Sequence, residues 1–524
     1  MRAENNLYYS QIGYDLEQNK RVYFSGDLKN GSFQIVNSVT KEVVLQGQLT
    51  YWGMKWQRNW YVLDFSEINK PGEYSLQILD DGAIVSESKT SLHIRRDVLW
   101  NRCWYDCSLG QLDVRAANCY QEGGWRDCGS ELQEVSSHII MLEAVCDLLE
   151  DVRVPSMEKP HLLEHIVRGA DYIVKCQRSD GGFVHELHHN PSVSFENCAN
   201  AIAVLTRASQ LLKEYSPQKS SLYLESAKKA YKFIEFYDLF SAMQENISLP
   251  IAYGAPNEMN VSPTQPRTRD LLALLQASIR LYQVGEHLLE EKLFALLDKI
   301  LERQISFQNA EHSHYGHFYT FQGYDFSEKA NYHCGAWDLP YKNYNQGAHK
   351  PYWVMPLFEM IDLFPGRKAI SVCKEALQNF AYGFFKPACF DNPFMILPAG
   401  VYKEEGIVYF SGWYHGHAKI YGYAAALAMR FYRMFEDEDF RKIATANLQW
   451  VAGLNCEGIS FIVDIGDNAA KDWNMLRGTI INGFDASKQF SISPVSKETD
   501  LPVFLDDEGG IHHCAGFISG LCAM

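Results

Sequence analysis

Positive charge is scarce in this 524-residue sequence: 48 lysines and arginines stand against 64 aspartates and glutamates, and no basic run could follow a phosphate track. The formal charge of −16 argues against nucleic acid and against an anionic membrane surface as partners. Long apolar runs are missing as well, so no membrane-spanning segment is expected. Met1 to Gln11 is polar where a secretory leader would need an apolar stretch. The 13 cysteines are odd in number and contain no CxxC pair, a usage that suits free thiols and a cytoplasmic location better than a disulfide framework. Internal repeats, low-complexity linkers and the helix-spaced His-Glu-x-x-His of zinc hydrolases are all absent, and no cofactor or metal is expected.

What remains is an ordinary globular composition, 47% hydrophobic and 21% charged, in a chain too long for one core. From Tyr8 to Ile94 the chain alternates in short β-prone stretches, Arg21 to Phe24, Ser32 to Val36, Glu42 to Leu45, Trp60 to Asp64 and Tyr74 to Ile78. Turn pairs such as Asn30-Gly31 and Pro71-Gly72 divide them. This predicts an immunoglobulin-like β-sandwich over residues 1–95. The period then changes. Ile139, Leu142, Val145, Leu148 and Leu149 share one helix face, as do Leu163, Ile166, Val167, Ala170, Ile173 and Val174. Further helices are expected near Asn197 to Glu214, Leu222 to Tyr237, Arg269 to Val284, His287 to Gln308, Ile370 to Tyr382, Ala418 to Phe435 and Asp439 to Ala452. The reading is a multidomain chain whose residues 96–524 form an all-α barrel of paired helices, with a site on long loops such as His312 to His349.

Three stretches in order carry a family resemblance. Gln11-Ile-Gly-Tyr14 through Pro71-Gly-Glu-Tyr-Ser-Leu76 resembles the N-terminal immunoglobulin-like module of one subgroup of glycoside hydrolase family 9, the family of many cellulases. Gly123-Gly-Trp-Arg-Asp-Cys-Gly-Ser130 resembles that family's Gly-Gly-x-x-Asp-Ala-Gly-Asp segment, whose aspartates hold and deprotonate the attacking water. Asp507-Glu-Gly-Gly-Ile-His-His-Cys-Ala-Gly-Phe517 resembles its C-terminal segment, which supplies the proton donor. The resemblance implies an (α/α)6 barrel, inversion at the anomeric carbon, Glu508 as general acid and Asp127 as the surviving base and water-holder. It also exposes a departure. Ser130 stands where the usual base aspartate belongs, and a neutral hydroxyl cannot accept a proton at working pH. Glu131 is the reserve.

Inverting cleavage needs a protonated carboxyl beside the leaving oxygen and a carboxylate about 6.5 to 9.5 Å away to activate water. For substrate binding the candidates are Trp125, Glu131, Trp337, Asp338, Trp413, His415, His417 and His512, rings and polar tips of the kind that meet sugar faces and hydroxyls. Asp464, Asp467 and Asp472 replace a histidine-rich sugar-binding stretch and point to an altered substrate. The expected activity is exo-cleavage of β-linked gluco- or glucosamine-type oligosaccharides. The alternatives are a catalytically silent carbohydrate-binding barrel and a uronate lyase using Tyr and His.

Overall fold

The computed structural model describes residues 6–119, 123–129, 131–188, 190–193, 195–236, 268–310, 313–319, 331–333, 354–398, 400–402, 406–410, 418–471, 476–485 and 504–524. Its first unit is built from β1 (Leu7–Tyr8), β2 (Tyr14–Asp15), β3 (Arg21–Ser25), β4 (Gly31–Asn37), β5 (Val43–Gln48), β6 (Thr50–Lys55), β7 (Arg58–Asp64), β8 (Gly72–Asp80), β9 (Ala83–Glu87) and β10 (Leu92–Arg95). One sheet runs β1-β3-β7-β6; the other runs β2-β10-β8-β4-β5, with β9 also on β8. Strand β8 shows why: Tyr74, Leu76 and Ile78 are buried while Ser75 and Gln77 turn outward, and β4 sets Phe33 opposite Ile78 and Ile35 opposite Leu76. Two-residue periodicity thus gives one apolar face per sheet. Strands β6, β9 and β10 were not among the expected stretches; β6 and β9 lack a clean alternation, and β10 alternates over only four residues.

Helices follow from α1 (Val98–Cys103) and α2 (Gln111–Ala117). Then come α3 (Val135–Glu150), α4 (Lys159–Lys175), the hairpin β11 (Val184–Glu186) and β12 (Asn190–Val193), α5 (Phe195–Leu211), α6 (Pro217–Phe236), α7 (Thr268–Gln283) and α8 (Glu290–Leu301). Strands β13 (Phe318–Tyr319) and β14 (Asn331–His333) precede α9 (Met355–Leu363), α10 (Lys368–Asn379) and α11 (Lys386–Phe390); β15 (Gly400–Tyr402) and β16 (Gly406–Val408) complete that small sheet. Last are α12 (Lys419–Phe435), α13 (Glu438–Val451), the pair β17 (Ile480–Asp485) and β18 (Phe504–Gly510), and α14 (Ile511–Ala523). No helix among the described residues is long and apolar enough to cross a membrane.

Among the described residues α3, α5, α7, α9, α12 and α14 form an inner ring. Neighbours pack in that order, the α9 to α12 step passes through Phe358 and Phe431 at 5.4 Å, and α14 closes back on α3. The others lie outside, as in an (α/α)6 barrel. Helices α12 and α14 cross at glycine: a Cβ on Gly422 would lie 2.0 Å from the Gly516 carbonyl oxygen, and one on Gly516 would lie 2.4 Å from that of Lys419. The backbones therefore touch directly.

The sandwich and barrel share one apolar core. Gln11 donates its amide to the Ala452 carbonyl and accepts from Asp467, both at 2.9 Å. The turn between β6 and β7 is a two-residue loop, Trp56-Gln57, with φ of 51° and 58°. Positive φ at both positions matches the type I′ turn that strand twist favours. A tryptophan is a strained choice there, and burial holds it. Its ring stacks on Phe394 at 6.3 Å and meets Tyr409 and Phe410; Phe394 also packs on Tyr23, Trp60 and Trp450.

Candidate active site

Five of the six inner helices carry buried polar residues in their first turn although they continue as apolar ones. Ser136, Ser137 and His138 open α3, Glu196 and Asn197 open α5, Thr268, Arg269 and Asp270 open α7, Lys419 opens α12 and His513 opens α14; all are buried. Hydrogen bonds knit these ends together, with the Lys419 amide donating to His513 Nδ1 at 3.1 Å and the Ala418 amide donating to the Asn482 carbonyl at 3.0 Å. A helix start offers amides without partners and a positive end of the dipole, so this convergence suits carboxylates and polar ligands.

The loop before α3 is clamped from both sides. Gly124 has φ of +78°, and a Cβ there would lie 2.6 Å from His138 Nε2. The Trp125 amide donates to that same nitrogen at 2.9 Å, so His138 donates from Nδ1 to the Glu134 carbonyl at 2.8 Å. Burial drives the His138 pKa down to about 4, keeping it neutral for this double duty. Trp125 was expected to meet sugar. It is instead fully buried, stacked on His138 at 5.3 Å with Nε1 donating to His165 Nδ1, and it acts as the brace of the loop.

Asp127 follows this brace. It is 4% exposed. Its Oδ2 accepts the Glu134 amide and the Ser137 hydroxyl, each at 3.3 Å, which ties it to the start of α3. Its Oδ1 is buried with no hydrogen-bond partner among the described residues. Burial first, and then the negative field of Glu134, push its pKa up to about 8. Glu134 Oε1 meets His185 Nε2 at 3.1 Å, and Asn197 meets His185 Nδ1 at 3.3 Å. Burial opposes charge on His185, but Glu134 outweighs it and the pKa is raised. Glu186 caps the group by accepting the Gln133 amide at 3.0 Å.

Glu508 arrives on strand β18. There β17 pairs Ile481 with Gly509 and Gly483 with Asp506, so Asp507 and Glu508 together oppose Asn482. This is a β-bulge, a device that re-aims a side chain. The Glu508 amide donates to Asp506 Oδ1 at 3.1 Å, Asn482 Nδ2 donates to Asp506 Oδ2 at 2.9 Å, and the Asn482 oxygen bonds His513 Nε2. Directly after the strand, the Ile511 amide donates to the Asp127 carbonyl at 2.8 Å. His512 lies beside His513, ring centroids 4.0 Å apart. Lys419 is 3% exposed; burial lowers its pKa to about 7 against the pull of Glu134 and Glu196. Arg269 faces Glu196 at 3.3 Å, both nearly inaccessible.

The other sequence candidates separate clearly. Glu131 is exposed and faces Arg126 at 3.8 Å. Trp337, Asp338, Trp413, His415 and His417, like Ser130, lie outside the described residues. His317 is buried against Phe384 with its pKa pushed down to about 3. Asp467 turns to His93 of the sandwich at 3.5 Å and belongs to the domain contact. Sequence reasoning missed Glu134, His185, Glu186, Glu196, Arg269 and Lys419. For Glu134, Glu196, Arg269 and Lys419 the signal was available, since each is a charged residue at or just before the start of a barrel helix; His185 and Glu186 lie on β11 and carried no such signal.

Asp113, His161 and His165 could bring three ligand atoms within 4.8 Å of one another. The hydrogen bonds argue against a metal there. His165 Nδ1 accepts from the Trp125 indole, so its Nε2 carries the proton and donates to Asp113 Oδ1 at 3.1 Å.

Buried carboxylates thus gather where the inner helices of this (α/α)6-type barrel start. A family model for glycosyl hydrolase family 9 matches residues 100–475, and one for the cellulase N-terminal Ig-like domain matches residues 3–83. The chain belongs to glycosyl hydrolase family 9. No curated protein sequence matches it. Among solved structures it is similar to a Bacteroides ovatus family 9 protein (15% identity, TM-score 0.67, covering 99% of this chain and 98% of the other). It is also similar to a metagenome-derived family 9 endoglucanase (14%, 0.66, 98% of each chain). A third likeness is to AaCel9A, solved in complex with a cellobiose-like isofagomine (14%, 0.64, 99% of each chain).

Proposed function

We propose that this glycosidase is exo-acting on β-linked gluco- or glucosamine-type oligosaccharides and inverts the anomeric carbon, as the family does. Glu508 protonates the leaving oxygen and Asp127 holds the attacking water. The observation that carries the reading is Asp127 itself: Oδ2 is spent on α3, whereas buried Oδ1 is left for a ligand, on a loop bonded to the end of the Glu508 strand. The surplus of carboxylates around the starts of the inner helices, Glu134, Glu186, Glu196 and Asp506 against Lys419, Arg269 and His185, favours a cationic amino sugar over a uronate. That balance also disfavours the lyase. The described cysteines are all free thiols, which supports a cytoplasmic enzyme acting on short soluble chains.

The test is product release from short β-linked glucose, glucosamine and N-acetylglucosamine oligomers, read by mass and anomeric form. Monomer of inverted configuration released from one chain end is the expected result; internal cleavage would overturn exo action. Ser130 favours one rival, a sugar-binding barrel without turnover. Binding to the same panel with no product would decide for it.

A further inference from the structure

Ser130 leaves the reaction short of a proton acceptor, and the region around Asp127 contains another carboxylate in a fitting place. Glu134 immediately precedes α3 as its N-cap residue, with its amide on Asp127 Oδ2 at 3.3 Å. Its side chain reaches His185 at 3.1 Å, and His185 is held in turn by Asn197 at the start of α5. We propose that Glu134, paired with His185, is the proton acceptor of the water-activating group, Asp127 serving to align the water. The inference rests on the hydrolase reading above.

The electrostatics agree with this division of labour. A carboxyl that is buried, and whose neighbour is already an anion, keeps its own proton, and Asp127 is in that position. Glu134 differs in having a basic partner: an imidazole at hydrogen-bond distance stabilises the carboxylate before the reaction. The groups facing the pair are Glu186 and His185 from the β11 hairpin, His138 from α3, Cys128 from the loop and Lys419 from α12. Among the described residues Lys419 and His185 face the three acids Asp127, Glu134 and Glu186, so a proton taken up here relieves repulsion rather than adding to it. In the step itself the water oxygen bonds to the anomeric carbon as the glycosidic C–O bond breaks. The bonding pair leaves with the departing oxygen, which takes the Glu508 proton. The proton lost by water goes to Glu134, and solvent resets both acids.

The experiment compares the parent enzyme with Glu134→Gln on the oligosaccharide cleaved best in the panel, with and without sodium azide. A neutral amide cannot accept the proton, so kcat should fall by about 100-fold or more with KM within about threefold. Azide needs no base, so it should restore turnover and give a glycosyl azide of inverted configuration. Turnover of Glu134→Gln within about threefold of the parent overturns the assignment, as does a loss that azide does not repair. Should Glu134→Gln fail to fold, Glu134→Ser, which leaves room for azide, is read in the same way. An inactive parent would instead be the failure of the hydrolase reading.

Discussion

The Asp127 carbonyl accepts the Ile511 amide at 2.8 Å, so the loop carrying Asp127 is fastened by its backbone to the end of the strand carrying Glu508. The relative placement of the two segments therefore rests on a main-chain bond that substituting either carboxyl leaves in place.

It follows that Glu508→Gln should change chemistry without changing placement. Turnover is expected to drop by about 100-fold to 10,000-fold, the range for loss of a general acid. The thermal midpoint should stay within about 1 °C of the parent. Kinetics on the cleaved oligomer together with a melting curve check both halves.

Asp127 makes a prediction about stability. Its carboxyl is raised from 3.8 to about 8 by burial and by Glu134. Between those values the folded chain binds more protons than the unfolded one, so this group's contribution is most favourable in acid and erodes as pH rises toward about 8. Asp127→Asn removes that erosion. Its melting midpoint relative to the parent should climb steadily from pH 5 to pH 8, by at least about 1 °C. A constant difference across the range would contradict the buried, proton-holding carboxyl.

Much of this architecture was legible in the chain and part was not. The alternation of Tyr74, Leu76 and Ile78, and the helical spacing along α3, α4, α5 and α12, are local patterns; they announced β3, β4, β5, β7 and β8 and most of the barrel helices, whereas the inner helices α9 and α14 were not among the expected ones. Glu508 was found by its motif but read without its strand, because pairing with β17 joins segments whose intervening loop has no periodicity. Trp125 was misread for a related reason. Its contact with Gly169 on α4 is set by folding, and composition cannot distinguish a ring that faces sugar from one that braces a loop. Glu134 and His185 become neighbours only when α3 and the β11 hairpin meet.

That brace supplies a third prediction. A Cβ on Gly169 would lie 2.3 Å from the Trp125 ring. Gly169→Ala should cost about 1 to 3 kcal/mol by overpacking, and should also lower kcat by displacing the 123–134 loop. Chemical denaturation and kinetics measure the two effects. Loss of stability with unchanged kcat would mean that Trp125 does not brace Asp127.

The domain contact gives a fourth. Phe394 of the barrel is gripped by Tyr23 at 4.4 Å and Trp60 at 5.1 Å from the sandwich and by Trp450 at 5.1 Å from α13. Phe394→Ala should destabilise the protein by about 3 to 5 kcal/mol. Calorimetry of the parent should show one transition, since the two units share a core. Separate transitions would show that the units melt independently.

Where Gly422 and Gly516 bring α12 and α14 into main-chain contact, there are no rotamers between the helices to rearrange. The bulge that aims Glu508 leads straight into one of these helices, and the Lys419 ammonium stands on the other. The barrel thus keeps Glu508 and Lys419 on a common rigid gauge set by main chain rather than by side-chain packing.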